Sequence, residues 1–191
     1  VTIRRMRIIA GTHRGRPLQA PKGRGTRPIL DRQKESLFNV LRASLPCSGV
    51  VDVFAGSGGL GFEALSRGAE RATFIERGRP AVVALEHNVA SLGFEGRAQI
   101  LVRDAFAVDP AALHPFGLLF LDPPFPLYRD SAERVHTLLA GLLAAPGCED
   151  GAVAMLRVPA DAVVPDWPQG VQEVERRPAG ESVIILLRGD L

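Results

Sequence analysis

From residue 50 onward the chain alternates between short, mainly apolar runs and stretches of helical spacing, and that rhythm leaves few folds open. The apolar runs lie at residues 50–54, 72–75, 99–102, 117–121 and 152–158. Helical periodicity fills residues 60–67, 80–92 and 131–143 between them. Strands that are apolar on both faces and joined by helical crossovers belong in a parallel sheet covered on both sides. Two further runs, 171–176 and 182–188, flank Pro178-Ala179-Gly180 and read as a closing antiparallel pair. The expectation is an α/β fold with a mostly parallel, seven-stranded sheet. At 191 residues, 46% of them hydrophobic, the chain has room for one such core and a small appendage.

That appendage lies in front of the sheet. Met6-Arg7-Ile8-Ile9-Ala10 and Pro17-Leu18-Gln19-Ala20 flank a glycine-bounded loop and predict a β-hairpin. Residues 21–28, rich in Gly, Pro and basic side chains, predict a loop. Asp31 stands where the N-cap of a helix carrying Leu37, Phe38, Val40 and Leu41 would fall, with Pro46 ending it. The expected division is a basic N-terminal extension over 1–29 and a sheet domain over 30–191.

Net charge, only +2, hides an asymmetry. Of the 23 Lys/Arg and 21 Asp/Glu in the chain, ten basic residues and one acid fall in residues 1–34, leaving thirteen and twenty behind them. A basic front on an acidic body points to a polyanionic partner. No apolar run reaches the roughly 18–20 residues that cross a bilayer, and residues 1–5 lack the apolar core of a secretory leader. A cytoplasmic protein without a membrane partner is expected. Cys47 and Cys148 show neither CxxC nor Cys/His spacing, so no metal site is expected.

Two loops carry the chemistry. After the first strand comes Phe54-Ala55-Gly56-Ser57-Gly58-Gly59-Leu60-Gly61, where glycine lets the backbone turn tightly and approach a ligand. The helix that follows offers free N–H groups at its positive end. Twenty residues beyond Gly56, at the end of the second strand, Glu76 is placed to accept ribose hydroxyls. This pattern fits a dinucleotide, and the same geometry serves S-adenosylmethionine. Asp104-Ala105 follows the third strand, where an acid can meet an adenine amino group.

The fourth strand ends in Asp122-Pro123-Pro124-Phe125. Two prolines remove backbone donors and leave stiffened carbonyl acceptors. Asp122 adds a carboxylate acceptor, and Phe125 a flat face on which a base can stack for about 1–3 kcal/mol. Those parts suit a base whose exocyclic NH₂ donates both hydrogens and aims its lone pair at a methyl sulfonium. A nicotinamide-dependent oxidoreductase leaves this segment and the basic front unexplained.

Asp122-Pro123-Pro124-Phe125 resembles the (D/N)-P-P-(Y/F) motif of amino-directed nucleic-acid methyltransferases, and residues 51–65 resemble their cofactor segment. With Arg7-Ile8-Ile9-Ala10-Gly11, Arg14-Gly15-Arg16, Thr26-Arg27-Pro28, Asp31-Arg32 and Glu35-Ser36-Leu37-Phe38-Asn39, nearly the whole chain resembles the RsmD family. Its members methylate the N2 amino group of one guanine in 16S ribosomal RNA. The resemblance implies a Rossmann-like class I S-adenosylmethionine-dependent fold, with S-adenosylmethionine as cofactor. Gly56 and Gly58 would back its methionine, Glu76 would take the ribose, and Asp104 and Ala105 would lie at the adenine. Asp52, Phe54, Ser57 and Arg77 complete the implied cofactor set. Asp122, Pro123, Pro124 and Phe125 would hold the flipped target base. Arg7, His13, Arg14, Arg16, Lys22, Arg24 and Arg27 would grip the RNA, free or in a partly assembled small ribosomal subunit, and a monomer suffices. Adenine-N6 methylation, and an idle RNA-binding scaffold, remain the competing readings.

Overall fold

A computed structural model describes residues 6–21 and 29–189. Its elements run α1 (Asp31–Val40), β1 (Val50–Val53), α2 (Gly59–Ser66), β2 (Ala72–Glu76), α3 (Arg79–Leu92), β3 (Ala98–Val102), β4 (Phe116–Leu121), α4 (Phe125–Leu143), β5 (Cys148–Pro159), β6 (Val171–Ala179) and β7 (Ser182–Gly189). The seven strands form one sheet in the order β3-β2-β1-β4-β5-β7-β6. Strands β1 to β5 pair in parallel, while β7 runs antiparallel to both β5 and β6. Strand order reverses between β1 and β4, so their carboxyl ends open the crevice in which such sheets bind ligands.

Strands β1, β2 and β4 are buried on both faces, which is why they read as mainly apolar runs, whereas the edge strands β3 and β6 are partly exposed. Alternate residues serve opposite faces: Phe74 and Phe120 pack with α1, α2 and α3, whereas Ile75, Leu119 and Leu121 pack with α4. Gly61 lets α2 lie close on β2, because a Cβ there would stand 2.3 Å from the Phe74 ring.

The N-terminal segment is a hairpin closed by one antiparallel bridge, Arg7 to Pro17, rather than by two full strands. It is bonded to the body of the molecule. Ile8 and Leu18 belong to the core, and Thr12 N–H donates to the Ser66 carbonyl at 2.8 Å. Glu63 is the hub of this contact. Fully buried in α2, its carboxylate accepts the backbone N–H of Ile9 at 2.7 Å and of Ala10 at 3.0 Å. Arg67 Nε lies 2.8 Å from it and Lys34 Nζ 3.2 Å. Lys34, which the charge count places in the basic front, is therefore an interior residue. Burial pulls its ammonium below the usual lysine range, against the opposing pull of Glu63.

Several boundaries differ from the sequence reading. Asp31 is the first helical residue of α1 rather than its N-cap; its carboxylate pairs with Arg7 at 3.0 Å, while Gln33 Oε1 accepts the Leu30 N–H. Helix α4 begins at Phe125, not Ser131, so the segment 126–130 is helical and Ser131 marks a kink (φ −151°, ψ 39°). Pro126 is compatible with that start because a first-turn N–H needs no partner. At the C-terminal hairpin β6 runs through Pro178 and Ala179, and only Gly180 and Glu181 turn. An edge strand tolerates the missing proline donor.

Candidate active site

The carboxyl ends of β1, β2, β3 and β4 enclose a cleft of about 390 Å³. Phe54, Gly56, Glu76, Arg77, Asp104, Ala105, Asp122 and Pro124 line it, together with Pro21, Ile75, Gly78, Pro80, Ala81, Arg103, Phe106 and Leu127. Eight of the residues singled out in the sequence thus share one cavity.

The glycine loop divides its labour. Phe54 leaves β1 with φ +60°, a left-handed conformation unusual for a residue with a side chain. Gly56 follows at φ +57°, and nothing lies within 4 Å of where its Cβ would stand, so the backbone there is bare. Gly58 (φ +80°) is a packing glycine instead, since its Cβ would meet Phe62 at 2.5 Å and Leu85 at 2.7 Å. Ser57 lies outside the lining; its carbonyl accepts from Asn88 Nδ2 at 3.0 Å.

Glu76 ties the loop to the end of β2. Its Oε2 accepts the Gly56 N–H at 2.9 Å, and Oε1 accepts those of Arg77 and Gly78 at 2.9 and 2.7 Å. Asp104 Oδ1 caps the turn over Ala105–Ala107 by accepting the Phe106 N–H at 3.1 Å. Its Oδ2 pairs with Arg77 at 2.6 Å. Phe106 meets Phe54 edge-on at 5.8 Å, and the Arg134 guanidinium covers Phe106 at 4.0 Å.

Asp52 lies beneath the loop rather than in the cleft. Its Oδ2 accepts the Gly61 N–H at 2.9 Å, satisfying an orphan donor in the first turn of α2. Burial, followed by the charges of Asp122 and Glu76, holds its carboxyl well above the usual range. Folding thus favours the protonated form at this site. Asp52→Ala is expected to lower stability by about 1–3 kcal/mol by stranding the Gly61 donor, whereas Asp52→Asn keeps an acceptor and sheds the buried charge. The Asn variant should gain on wild type at neutral pH, and the gap should close as pH falls through the raised pKa. Urea unfolding at two pH values checks this; equal losses in both variants would contradict the capping role.

At the end of β4, Pro123 is buried and Phe125 opens α4. Asp122, with a side chain 20% exposed, is paired through Oδ1 with Arg157 Nε at 2.7 Å. Burial raises its carboxyl above the ordinary value and Arg157 opposes that rise. The sequence reading did not single out Arg157, although one arginine inside the run Ala152-Val153-Ala154-Met155-Leu156-Arg157-Val158 was a visible signal. Cys47 is absent from the cleft, and burial pushes its thiol up to about 11.

The basic residues of the hairpin sit elsewhere. Met6 approaches Gly59 at the start of α2, while the hairpin tip bonds Ser66 and Leu92 at the ends of α2 and α3. The tip of the hairpin, with His13 and Arg16, therefore meets the ends of α2 and α3 away from the glycine loop. His13 is committed internally: Nε2 donates to the Leu92 carbonyl at 3.1 Å, Nδ1 meets Thr12 Oγ1 at 2.8 Å, and the ring packs on Phe94. Arg16 donates to the Ser91 carbonyl at 2.6 Å. Arg7 and Arg14 line a second cleft with Arg67, Glu35 and Asn39. Lys22, Arg24 and Arg27 lie outside the described residues. Among those described, no helix is long and apolar enough to cross a membrane.

A sheet of this order, with a glycine loop after β1 and an Asp-Pro-Pro-Phe turn after β4 of which Asp122 and Pro124, but not Pro123 or Phe125, line the same cleft, defines a class I methyltransferase. The chain belongs to the family described as Conserved hypothetical protein 95, the RsmD family, whose model matches residues 6–188. Ribosomal RNA small subunit methyltransferase D of Haemophilus influenzae is 41% identical over 137 residues, 70% of this chain and 70% of its own. The Escherichia coli K12 protein of that name is 42% identical over 120 residues, 63% of this chain and 60% of its own. The solved structure of the Escherichia coli protein yhhF is similar to this one with a TM-score of 0.80 and 32% identity, over 97% of this chain and 98% of its own.

Proposed function

We propose that this methyltransferase uses S-adenosylmethionine to methylate the exocyclic N2 amino group of a guanine in 16S ribosomal RNA. The observation that carries the reading is the continuity of one cleft from Gly56 and Glu76 to Asp122 and Pro124. The cofactor fits the residues present: bare backbone at Gly56, a carboxylate at Glu76 for ribose hydroxyls, and apolar Phe54, Ala105 and Phe106 for a flat ring. When bound, it supplies a methyl group on a positively charged sulfur.

This chain's own residues do the rest by orientation and preformed electrostatics. Asp122 and the Pro123 carbonyl accept hydrogen bonds from the two amino hydrogens, turning the nitrogen lone pair outward, and the proton displaced on methylation leaves along the hydrogen bond to Asp122. Phe125 offers a ring for the base to stack on. A paired base cannot reach this slot, so the guanine enters flipped or already unpaired. The family relatives named for ribosomal RNA support that substrate. We assign the basic segment 1–29 to RNA contact and 30–191 to catalysis.

Labelled methyl transfer onto 16S RNA, naked and within small-subunit particles, tests the reading after digestion to nucleosides. N2-methylguanosine is the expected product; N6-methyladenosine would transfer the mechanism to adenine. Calorimetry should find S-adenosylhomocysteine bound and NAD not. Neutralising Arg14 and Arg16 together should weaken RNA binding and flatten its log–log salt dependence by roughly 1.4–1.8, since each lost phosphate contact removes about 0.7–0.9 from the slope. An unchanged slope would remove both residues from the RNA surface.

A further inference from the structure

Arg157 has no part in the reading above, yet it touches two of the four residues at the end of β4. It stands on β5 one position beyond the Leu121–Leu156 pair, so it faces Asp122 across neighbouring strands. The residue is only 7% exposed. Its Nε donates to Asp122 Oδ1 at 2.7 Å, and its guanidinium carbon lies 5.4 Å from the centre of the Phe125 ring.

We propose that Arg157 is a positioning residue for methyl transfer, holding Asp122 Oδ1 and the Phe125 ring at once so that Asp122 Oδ2 meets the incoming amine. The proposal rests on the reading that Asp122 accepts that amine. Left alone, a carboxylate samples a broad range of χ2; a charge-assisted bond to one oxygen fixes where the other points. The same guanidinium, lying against Phe125, makes the ring a fixed platform.

Arg157 also keeps Asp122 an acceptor. Burial favours the protonated carboxyl, which would present a hydrogen to the amine, and Arg157 is the group that opposes it. The neighbouring titratable groups, Asp52 on β1 and Glu76 at the end of β2, are acids and supply no positive charge of their own to Asp122. Three other cations near the cleft are directed elsewhere. Arg77 is bonded to Asp104, and on α4 Arg134 covers Phe106 while Arg129 pairs with Asp161. Arg103 lines the cleft as well.

Arg157→Gln and Arg157→Lys in the full chain test this, with methyl transfer to 16S RNA followed from acidic to neutral pH. Arg157→Gln should lose about 10- to 100-fold in kcat, with a smaller change in KM for RNA, and its acid limb should move to higher pH. Arg157→Lys keeps the charge without the planar fork, so it should restore the acid limb while recovering only part of the rate. Carbon NMR of the Asp122 carboxyl supplies a readout independent of turnover, expected to titrate higher in Arg157→Gln. An unmoved acid limb and an unmoved Asp122 titration in that variant overturn the proposal, as does equal loss in both variants with unshifted profiles. A wild-type protein that methylates no RNA, with the Asp122 titration still shifted by Arg157→Gln, defeats the functional reading alone.

Discussion

Replacing Asp122 with alanine is expected to cut methyl transfer by at least about 10²-fold, the scale associated with one preorganised polar group at a reacting centre. Affinity for S-adenosylhomocysteine should stay within a few-fold, because the groups assigned to the cofactor, from Gly56 to Ala105, belong to the other strand ends. The loss has two sources. The amine loses its side-chain acceptor, and Arg157, only 7% exposed, loses the carboxylate it now meets. Asp122→Asn keeps an acceptor oxygen but gives up the charge, so it should fall between wild type and alanine. Single-turnover kinetics beside calorimetry separate the effects. Turnover at wild-type rate in Asp122→Ala would show that the acceptor role is misplaced.

The largest effect on stability is expected at Glu63. Its buried carboxylate accepts two backbone N–H groups of the hairpin and pairs with Lys34 and Arg67. Glu63→Ala leaves the ammonium of Lys34, 3% exposed, without its carboxylate. Breaking a buried ion pair from one side costs about 3–5 kcal/mol, and at roughly 2–4 °C per kcal/mol for a chain of this size Tm should fall by about 10 °C. Hydrogen exchange gives the more specific sign: the Ile9 and Ala10 amides should lose protection before the amides of β1 and β4. Protection lost evenly across the sheet, or an unchanged Tm, would mean that Glu63 does not anchor the hairpin.

These two residues also mark how far sequence reasoning reached. The parallel sheet was legible because strands buried on both faces leave unbroken apolar runs, as Leu118-Leu119-Phe120-Leu121 does. The two ligand loops were legible because a left-handed turn at Gly56 and a proline pair at 123–124 leave compositional marks. Charge placement was less legible. Counting basic residues grouped Lys34 with a front that faces a polyanion, whereas Lys34 is buried against Glu63; Arg7 stays on the surface but pairs with Asp31. Both partners depend on tertiary contacts that no local pattern encodes. Helix α4 started early for a related reason: Pro126 reads as a breaker in isolation, yet a proline in a first helical turn sacrifices no bond. One cue was available throughout. Glu63 in the apolar helix 60–65 and Arg157 in the apolar strand 152–158 are charges where none should be buried unpaired, and each is a centre of the structure's polar organisation.

A crystal structure of the complex with S-adenosylhomocysteine examines most directly whether methyl donor and acceptor slot share one cavity. The account requires the ribose hydroxyls on Glu76 and the sulfur directed toward Asp122 across the cleft between β1 and β4. A ligand seated in another cavity, or turned so that the sulfur faces away from Asp122, would contradict it.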